Sequence, residues 1–381
     1  MFARPPQPHR GLNNMAGGPA GTPLTLIRLL LENRPISFSR IPIAIAYLIR
    51  ACFLFPMHVI ERLFRSRSIR ATSLPDTPVF IIGHYRSGTT LLHKLLLTDE
   101  RWGYITVYDM LLPHSGKRGR KILKPIMQKL IDVLKLKHLH FNNYLVNLDD
   151  PIEEDYYTIT QGSPLSGFWS EVFPRNRQTY VEQNILLTTP LQQEHWKDAY
   201  LYLLKKISTL HDGKRLLLKN PPNTSRVRFI LDLFPEAKFI FIYRNPYQVY
   251  YSTFFLWQRT LERYYVLQKI SNEERAELIF SLYTGIMTQM EEDRALIPPG
   301  NLIDIRYEDL KDDPYGQIRS IYERFDIPGF DEAESDLISQ IEKESDYTVY
   351  RYSYDDETQA EVYRNWGYFI DKWGYCKMQN P

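Results

Sequence analysis

Short runs of apolar residues alternate with helix-spaced apolar positions along most of the chain after residue 78. Four runs suit strands buried on both faces: VFII (79–82), RLLL (215–218), KFIFIY (238–243) and NLIDIRY (301–307). Between two of them, Val227, Ile230, Leu231 and Phe234 are spaced as on one helix face. Right-handed strand-helix-strand units follow from this pattern. We expect an α/β fold: a P-loop-like parallel sheet flanked by helices, with an N-terminal apolar helix and a helical insertion.

The first 72 residues follow a different pattern. Residues 1–22 are rich in Pro, Gly, Asn and Arg without periodicity, which predicts a disordered tail. Residues 23–72 are expected to form an N-terminal helical, membrane-proximal segment, and residues 73–381 the main domain. The apolar stretch IPIAIAYLIRACFLFPMHVIERLF (41–64) is interrupted by Arg50 and Pro56. Three interpretations stay open for it: a spanning helix, an interfacial anchor, and a helix packed on the protein's own core.

Composition narrows the classes of protein to consider. A length of 381 residues suits one large α/β domain with additions. The 47 Lys and Arg nearly balance the 45 Asp and Glu, so the net charge of +2 gives no reason to expect a nucleic-acid partner. Cys52 and Cys376 belong to no metal-ligand or disulfide pattern, which favours a reducing, cytoplasmic compartment and no bound metal.

The loop after the first predicted strand, GHYRSGTTLL, has the features of an anion site. Gly83 and Gly88 let the backbone approach a ligand closely, and the amides of residues 87–90 begin a helix whose dipole favours negative charge. Arg86 adds a full positive charge. The glycine spacing equals that of a Walker A loop, but Thr89 stands where that loop has its lysine. Taken alone, the loop also fits an ordinary strand-to-helix turn.

A second motif, YRNPYQVYYS, begins at the end of the strand at residues 238–243. Arg244 follows that strand, Asn245 can cap the next helix, and Pro246 suits its first position. Ser252 then lies about two turns along, on the order of 10 Å of helical rise. An arginine fork and a hydroxyl placed in this way can grip a phosphate from two sides.

Together the two motifs resemble the cofactor signatures of the sulfotransferases, which use 3′-phosphoadenosine 5′-phosphosulfate (PAPS). The loop is similar to the family's 5′-phosphosulfate element, and the Arg/Ser pair, eight positions apart, to its 3′-phosphate element. The likeness covers about residues 78–307. The arginine before SGTT, with LLLKNPP, most resembles the branch of tyrosylprotein and bacterial small-molecule or lipid sulfotransferases. The cofactor-binding residues that we expect are His84, Tyr85, Arg86, Ser87, Gly88, Thr89, Thr90, Arg244, Ser252 and Arg351.

Two cations are the candidates for catalysis. In-line transfer spreads charge over the sulfuryl oxygens and the leaving phosphate, so positioned cations should stabilise the transition state. By the resemblance, no metal is needed. Arg86 is one candidate, and Lys219 is the other, because it follows RLLL where the tyrosylprotein branch has a lysine in a similar strand-end motif. A surface lysine at a loop mouth is the alternative interpretation of Lys219.

The general base is sought mainly in LDDPIEEDYY (148–157), which resembles an acidic, proline-led motif of bacterial members of the branch. The candidates for taking the acceptor's proton are Glu153, Glu154, Asp155 and, in reserve, Asp109. Asp150, Pro151 and Glu153 also fit a helix start, with Asp150 as N-cap and Glu153 at the third position. This capping role for Glu153 favours Glu154 as the chemical carboxylate.

Two further segments bear on the acceptor. Residues 117–137 hold eight Lys and Arg against one acid, which fits either a solvated basic helix or a surface for anionic lipid headgroups. The aromatic tail from Tyr347 to Tyr375 is expected to fold over the site as a lid. With the apolar stretch at 41–64, the basic segment favours a cytoplasmic, membrane-peripheral enzyme whose acceptor is a hydroxylated lipid or sterol-like molecule. A soluble carbohydrate or phenol is the alternative acceptor.

Two other functions fit parts of the pattern. A P-loop nucleotide-dependent kinase is disfavoured by Thr89 at the lysine position. A catalytically silent, membrane-associated binding protein of the same fold is disfavoured by the retained cations Arg86, Lys219 and Arg244. The residues do not indicate an oligomeric state.

Overall fold

A five-stranded parallel sheet with helices on both faces forms the centre of the protein. It is seen in a computed structural model that describes residues 22–133, 147–160, 164–262, 265–345 and 355–378. The strands are β1 (Val79–Ile82), β2 (Trp102–Gly103), β3 (Arg215–Lys219), β4 (Lys238–Tyr243) and β5 (Leu302–Arg306). Their order across the sheet is β2-β3-β1-β4-β5. The predicted parallel α/β fold is confirmed, and only the two-residue β2 was missed.

Helices fill the connections between the strands. Before β3 they are α1 (Pro23–Glu32), α2 (Ile41–Phe64), α3 (Ser66–Ala71), α4 (Thr89–Leu96), α5 (Val107–Leu111), α6 (Gly116–Val133), α7 (Glu154–Thr160), α8 (Trp169–Val172), α9 (Arg177–Tyr180) and α10 (Pro190–Leu210). After β3 they are α11 (Val227–Leu233), α12 (Pro246–Leu256), α13 (Asn272–Asp293), α14 (Tyr307–Asp312), α15 (Pro314–Phe325), α16 (Phe330–Ser345) and α17 (Asp356–Lys372). The helices between β2 and β3 are the helical insertion, and α2 is the N-terminal apolar helix.

The position of β1 explains where a site can form. Its residues Phe80 and Ile82 pack into one core and Val79 and Ile81 into the other, so both faces of the strand are buried. β3 pairs with one edge of β1 and β4 with the other, both in parallel. The loops that follow β1, β3 and β4 therefore meet at one end of the sheet, where parallel α/β folds bind ligands.

The first two helices share the main core with the sheet. Leu26 and Leu29 of α1 and Ala44 of α2 are buried in the same cluster as Phe80 and Phe239. α1 ends against the body, where the side-chain amide of Asn33 donates to the hydroxyl of Tyr180 at 2.6 Å. The N-terminal helices therefore pack directly on the main domain.

The predicted helix start at Asp150 is wrong. The segment pairs as extended chain instead: the Val107 amide donates to the Asp150 carbonyl at 2.9 Å, and the Ile152 amide to the Ile105 carbonyl at 2.9 Å. Backbone held in this way cannot also begin a helix, so α7 starts later, at Glu154. Glu153 consequently does not occupy the third position of a helix, and its side chain is available for another contact.

The expectation that the aromatic tail forms a lid is also wrong for most of its length. α17 is a core helix whose Trp366 and Phe369 are buried. The Trp366 ring stacks on Tyr283 of α13 with centroids 4.0 Å apart. The aromatic spacing that suggested a lid is the buried face of this helix. Residues 346–354, which include Arg351, lie outside the described residues.

Candidate active site

The loop after β1 has the tight geometry that its glycines predict. Gly83 and Gly88 both have positive φ, at 146° and 96°, and a Cβ would collide with the Ile242 carbonyl at the first and with the Tyr307 ring at the second. Gly88 is the N-cap of α4. Arg86 between them also has a left-handed backbone, φ 69°, which is uncommon for a residue with a side chain and typical of functional loops.

The two predicted anion motifs lie together. The Arg86 Nε donates to the Ser252 Oγ of α12 at 2.8 Å, and the Arg244 Nη1 donates to the Arg86 carbonyl at 3.3 Å. The Arg244 guanidinium also lies over the Tyr307 ring, 4.2 Å from its centroid. Asn245 caps α12 by accepting from the Tyr247 amide at 3.0 Å, as predicted. Arg86 of the loop after β1 thus forms one basic cluster with Arg244, which directly follows β4, and with Ser252 of α12.

Lys219 joins this loop to the acidic segment. It is the last residue of β3, and its side chain is only 4% exposed. Its Nζ donates to the Glu153 Oε1 at 2.7 Å and to the Thr90 Oγ1 at 3.4 Å. Thr90 is exposed at the start of α4. Lys219 is therefore not a surface lysine, and it connects the anion loop with a carboxylate.

The acidic candidates have separate environments. Asp155 is held by the Asn220 Nδ2 at 3.0 Å, the Arg226 Nη1 at 3.3 Å and the Gly167 amide at 2.7 Å, which makes it part of the scaffold. Its three partners come from distant segments, so the side chain ties the insertion to the loop after β3. A carboxylate that already accepts from three donors of the protein has little capacity left to contact an acceptor molecule.

Asp109 is also engaged in structure. It closes a capping box with Thr106 at the start of α5, where its Oδ2 accepts from the Thr106 amide at 3.0 Å. The Arg120 Nη1 of α6 pairs with the same carboxylate at 3.1 Å. The reserve candidate for the base is thus a local cap and an anchor for α6.

Glu154 is buried at the first position of α7. Its side chain is 1% exposed, and neither carboxyl oxygen has a hydrogen-bond partner in another described residue. Burial, with a smaller contribution from the charge of Asp155, raises the pKa of Glu154 to about 8. The group is therefore a neutral carboxylic acid near pH 7, and it contacts neither Lys219 nor the anion loop through a hydrogen bond.

The remaining loop residues differ in what they can offer a ligand. His84 is buried, its Nδ1 lies 2.9 Å from the Tyr85 carbonyl, and its ring packs on Tyr283. Burial lowers the pKa of His84 to about 3, so the imidazole is neutral. Ser87 and Thr89 are buried at 2% and 4% exposure. Among the loop residues that were predicted to bind the cofactor, Arg86 and Thr90 have side chains that a ligand can reach. The ring of His84 points into the core instead.

Sequence reasoning missed a set of polar residues after β3. The Gly83 amide donates to the Thr224 Oγ1 at 2.7 Å, which fixes the beginning of the anion loop. Asn223 accepts from the Asn220 Nδ2 at 3.1 Å and from the Arg226 Nη1 at 3.2 Å. These residues belong to KNPPNTSR, in which only Lys219 was predicted as a site residue, and nothing in their spacing indicates a long-range role.

Four aromatic side chains lie near Glu153, and we call Tyr85, Tyr156, Phe168 and Tyr265 the aromatic wall. Tyr85 and Tyr156 are both close enough to Glu153 to be affected by its charge. Tyr156 packs on Phe168 with ring centroids 4.6 Å apart, and Phe168 meets Tyr265 edge-on at 5.4 Å. Burial and then the negative charge of Glu153 raise the pKa of Tyr156 well above its usual range, so this phenol stays neutral. The wall offers flat, mainly apolar surface beside Glu153.

Comparisons with known proteins give the same family as the motifs. A model described as the sulfotransferase family matches residues 78–332, which is more than half of the chain. The chain belongs to the sulfotransferase family. A curated relative, the omega-hydroxy-beta-dihydromenaquinone-9 sulfotransferase Stf3 of Mycobacterium bovis, is 31% identical over 351 residues, covering 92% of this chain and 88% of its own. The protein of the same name from Mycobacterium tuberculosis matches to the same extent.

Solved sulfotransferases share the fold. Sulfotransferase STF9 from Mycobacterium avium superposes with a TM-score of 0.69 at 17% identity, covering 96% of this chain and 89% of that one. STF1 from Mycobacterium tuberculosis gives a TM-score of 0.62 at 18% identity, with 83% and 84% covered. The family match and the 31% identical curated relative make this sulfotransferase an enzyme that moves a sulfuryl group from a donor to an acceptor. The kinase interpretation is set aside.

Proposed function

We propose that this sulfotransferase takes the sulfuryl group from PAPS and transfers it to a hydroxyl of a lipid-like acceptor. One observation carries the proposal: Lys219, buried at the end of β3, bonds Glu153 on one side and Thr90 of the anion loop on the other. A cation, a carboxylate and an anion loop within hydrogen-bond reach of one another are what transfer to a hydroxyl requires.

The donor fits the residues of the loop and the basic cluster. A backbone that is crowded at Gly83 and Gly88, followed by the amides that begin α4, suits the 5′-phosphosulfate. Arg244 and Ser252 are assigned the 3′-phosphate, and Arg86, bonded to Ser252, lies between the two anions. His84, Tyr85, Ser87 and Thr89 support the loop, and in this proposal they contribute mainly through their backbone.

The catalytic roles follow from these contacts. As the acceptor oxygen forms its bond to sulfur, the bond from sulfur to the phosphate oxygen breaks and adenosine 3′,5′-bisphosphate leaves. Glu153 receives the hydroxyl proton, since it is the carboxylate that contacts Lys219. Lys219 and Arg86 stabilise the charge that develops on the sulfuryl and leaving oxygens. Glu154, the carboxylate that the sequence favoured, has no part in this scheme.

The acceptor class is inferred from the aromatic wall and from a relative. A wall of four aromatic rings next to Glu153 suits a hydroxyl carried by an apolar molecule better than one on a polar sugar. The curated relative that is 31% identical is named for a hydroxylated dihydromenaquinone. A hydroxylated lipid, reached from the cytoplasm at the periphery of a membrane, is therefore our proposed acceptor.

A paired substitution tests the catalytic roles. Glu153→Gln should lower kcat by about 10²-fold or more, as loss of a general base does, whereas Glu154→Gln should leave kcat within about threefold of the parent. Lys219→Ala should also lower kcat by about 10²-fold while adenosine 3′,5′-bisphosphate still binds. Lys238→Ala is the matched control, since Lys238 starts β4 at the opposite end of the sheet.

The measurement is formation of sulfated product from PAPS with a hydroxylated isoprenoid acceptor, read by mass spectrometry, with thermal shifts for ligand binding. Stabilisation by ATP but not by the bisphosphate would reject PAPS as donor. Turnover on a sugar or phenol but on no lipid would reject the proposed acceptor class. A fully active Glu153→Gln enzyme would remove Glu153 from the mechanism.

A further inference from the structure

Most of the large apolar side chains that remain exposed are concentrated in one part of this sulfotransferase. Among the described residues 21 such side chains are exposed, and twelve of them fall between residues 24 and 64. They are Leu24, Ile27, Leu31, Phe38, Ile41, Ile45, Ile49, Phe53, Phe55, Ile60, Leu63 and Phe64. Soluble proteins seldom leave so large a contiguous apolar surface without a partner.

One side of α2 is bound to the body of the enzyme along most of its length. The Tyr47 hydroxyl donates to the Tyr265 carbonyl at 3.2 Å, and the Arg50 Nη2 donates to the Met110 carbonyl at 2.9 Å. Nearer its end, the Glu61 Oε1 accepts from the Lys206 Nζ of α10 at 2.6 Å, with both groups buried. These contacts keep one face of α2 on the protein.

The same contacts argue against a spanning helix, which is one of the three interpretations of this stretch. The helix over residues 38–64 is long and apolar enough to cross a membrane, with a mean hydropathy of 1.9. Only 17% of its most apolar part is buried in the protein. A crossing helix would have to leave Lys206 unpaired or bring the ion pair into hydrocarbon, and both are unfavourable. α2 therefore lies along the enzyme with its other face outward.

The outward face carries no charge for a long distance. Its side chains at Ile41, Ile45, Ile49 and Phe53 are spaced by four residues, and Ile49 and Phe53 are 65% and 69% exposed. From Ile41 to Ile60 the face is about 28 Å long. A long, uncharged outer face opposite a bound inner face is typical of a helix that lies in a membrane interface.

Positive charge borders this face. Residues 22–72 contain eight Arg and two Glu, and α6 contains six Lys and Arg and one Asp, in a chain whose charges are otherwise nearly balanced. The end of α2 meets the start of α6, where the Arg65 Nη1 donates to the His114 carbonyl at 3.4 Å. Arg62, Arg67 and Arg118 are exposed on both sides of this junction. The charge complements an anionic surface.

α6 also combines exposed apolar side chains with exposed bases. Ile122, Ile126, Leu130 and Val133 are exposed on its outer side. Next to them lie the exposed bases Arg118, Lys121 and Lys129, while Arg120 and Lys124 pair with Asp109 and Asp149. The apolar positions of α6 thus point away from the protein, the reverse of an ordinary surface helix.

We infer that the outer faces of α1 and α2, bordered by the bases of the α2 end and α6, form a docking surface for an anionic lipid bilayer, into which the enzyme inserts without crossing it. Tyr47 on the inner side of α2 bonds Tyr265 of the aromatic wall, which leads through Phe168 and Tyr156 to Glu153. The docked face therefore lies close to the proposed path of the acceptor. Only this last step rests on the proposed function.

Vesicle flotation tests the docking surface without turnover. The full chain should float with vesicles of phosphatidylcholine and phosphatidylglycerol at about 0.05 M salt, and less with phosphatidylcholine alone. At about 0.5 M salt the lipid-bound fraction should fall but not vanish, because apolar insertion is not screened. The double change Ile49→Ser with Phe53→Ser should weaken vesicle binding by about tenfold or more.

Matched variants distinguish a loss of the docking surface from a general loss of stability or activity. Leu296→Ser with Ile338→Ser removes two exposed apolar side chains elsewhere and should bind vesicles as the parent does. Lys121→Glu with Lys129→Glu should reduce the dependence on phosphatidylglycerol. All variants should keep the parent melting temperature and its activity on a short, water-soluble acceptor, so a failure of docking is distinguishable from a failure of sulfuryl transfer.

The natural cysteines give a second measurement. Cys52 lies exposed on α2 beside Phe53, and Cys376 is the other free cysteine. In a Cys376→Ser protein, an environment-sensitive fluorophore on Cys52 should brighten with anionic vesicles and be quenched by acyl-chain quenchers. The same label on Cys376, in a Cys52→Ser protein, should not respond.

Three results would overturn the inference. The first is a full chain that stays in solution with anionic vesicles at low salt. The second is an Ile49→Ser, Phe53→Ser protein that binds vesicles like the parent with no change at the Cys52 label. The third is a concentration-dependent dimer that the same double change abolishes while vesicles are ignored, which would assign the face to a second copy of the chain.

Discussion

At the scale of single residues, Arg86 links the two halves of the proposed donor site. Its left-handed backbone places the carbonyl where Arg244 donates to it and the side chain where Ser252 accepts from it. A residue under backbone strain that also makes two long-range hydrogen bonds is held by its surroundings rather than by local preference. Arg86 therefore holds the loop together as well as carrying charge, so its removal would disturb the whole loop. Removal of Arg244 should affect only binding of the 3′-phosphate.

Arg244→Ala should weaken binding of adenosine 3′,5′-bisphosphate by about 2 kcal/mol or more, as loss of a charged hydrogen bond does. Binding of adenosine 5′-monophosphate should scarcely change, since it lacks the 3′-phosphate. Calorimetric titration of both nucleotides measures the difference. Arg306→Ala, at the end of the neighbouring strand β5, is the control. Equal losses for the two nucleotides would contradict the assignment of Arg244.

Glu154 yields a prediction about stability and pH. Its pKa is raised by burial from 4.5 to about 8, so the folded protein retains a proton that the unfolded chain releases. Wild-type stability should therefore decline as pH rises from about 4.5 towards 8, and Glu154→Gln should remove this decline. The free energy of unfolding of the variant minus that of the parent should grow by roughly 2 kcal/mol or more from pH 5 to pH 8. Urea unfolding at several pH values tests this, and a constant difference would show that Glu154 ionises freely.

At the scale of elements, the starting residue of α7 decides the chemistry of the acidic segment. Because residues 150–152 are extended, Glu153 precedes the helix, and its carbonyl accepts from the Tyr157 amide at 3.2 Å. Its side chain meets Lys219, while the next residue turns into the core. A helix begun at the predicted place would rotate each of these carboxylates by about 100° per residue shifted.

The attachment of α2 gives the prediction at this scale. Burial alone would raise the pKa of Glu61, but Lys206 and His114 lower it to about 2, so the carboxylate is charged in the fold. Glu61→Ala should destabilise the protein by about 3–5 kcal/mol, since Lys206 would be left charged and buried. Denaturant unfolding measures the loss. Glu61→Leu with Lys206→Met should restore most of it.

A surface pair provides the comparison for Glu61. Arg319 and Glu323 form an exposed pair one turn apart on α15. Glu323→Ala should leave the unfolding midpoint unchanged, because exposed pairs contribute little. If Glu61→Ala also left the unfolding midpoint unchanged, α2 would not depend on this ion pair for its position. A spanning helix would then have to be reconsidered.

At the scale of the whole molecule, the residues proposed to bind the donor and those proposed to bind the acceptor come mainly from different segments around the sheet. The loops after β1 and β4 supply the proposed donor residues Arg86 and Arg244. The insertion between β2 and β3 supplies Glu153, Tyr156 and Phe168, and β3 supplies Lys219 between the two halves. Tyr85, from the loop after β1, and Tyr265, from the segment after α12, complete the aromatic wall. The N-terminal helices pack next to the insertion, which joins the proposed acceptor side to the apolar docking surface.

Much of this protein is determined by its sequence alone. The strands are recognisable because a strand buried on both faces is a continuous apolar run, and four of the five were predicted. The tight turn after β1 and the Asn245 cap depend on glycine, proline and side-chain hydrogen bonds between near neighbours, so they too were predicted. Local patterns of this kind were sufficient to indicate the sulfotransferase family.

Only the tertiary structure decided the rest. Which acidic residue meets Lys219 depends on the pairing of residues 150–152 with a distant segment, and no local pattern encodes that contact. The role of the 41–64 stretch stayed open because both faces of α2 are apolar, so periodicity could not say which one is buried. Two of the partners that hold it, Lys206 and Tyr265, come from more than a hundred residues along the chain, and contacts of that range are formed only by folding.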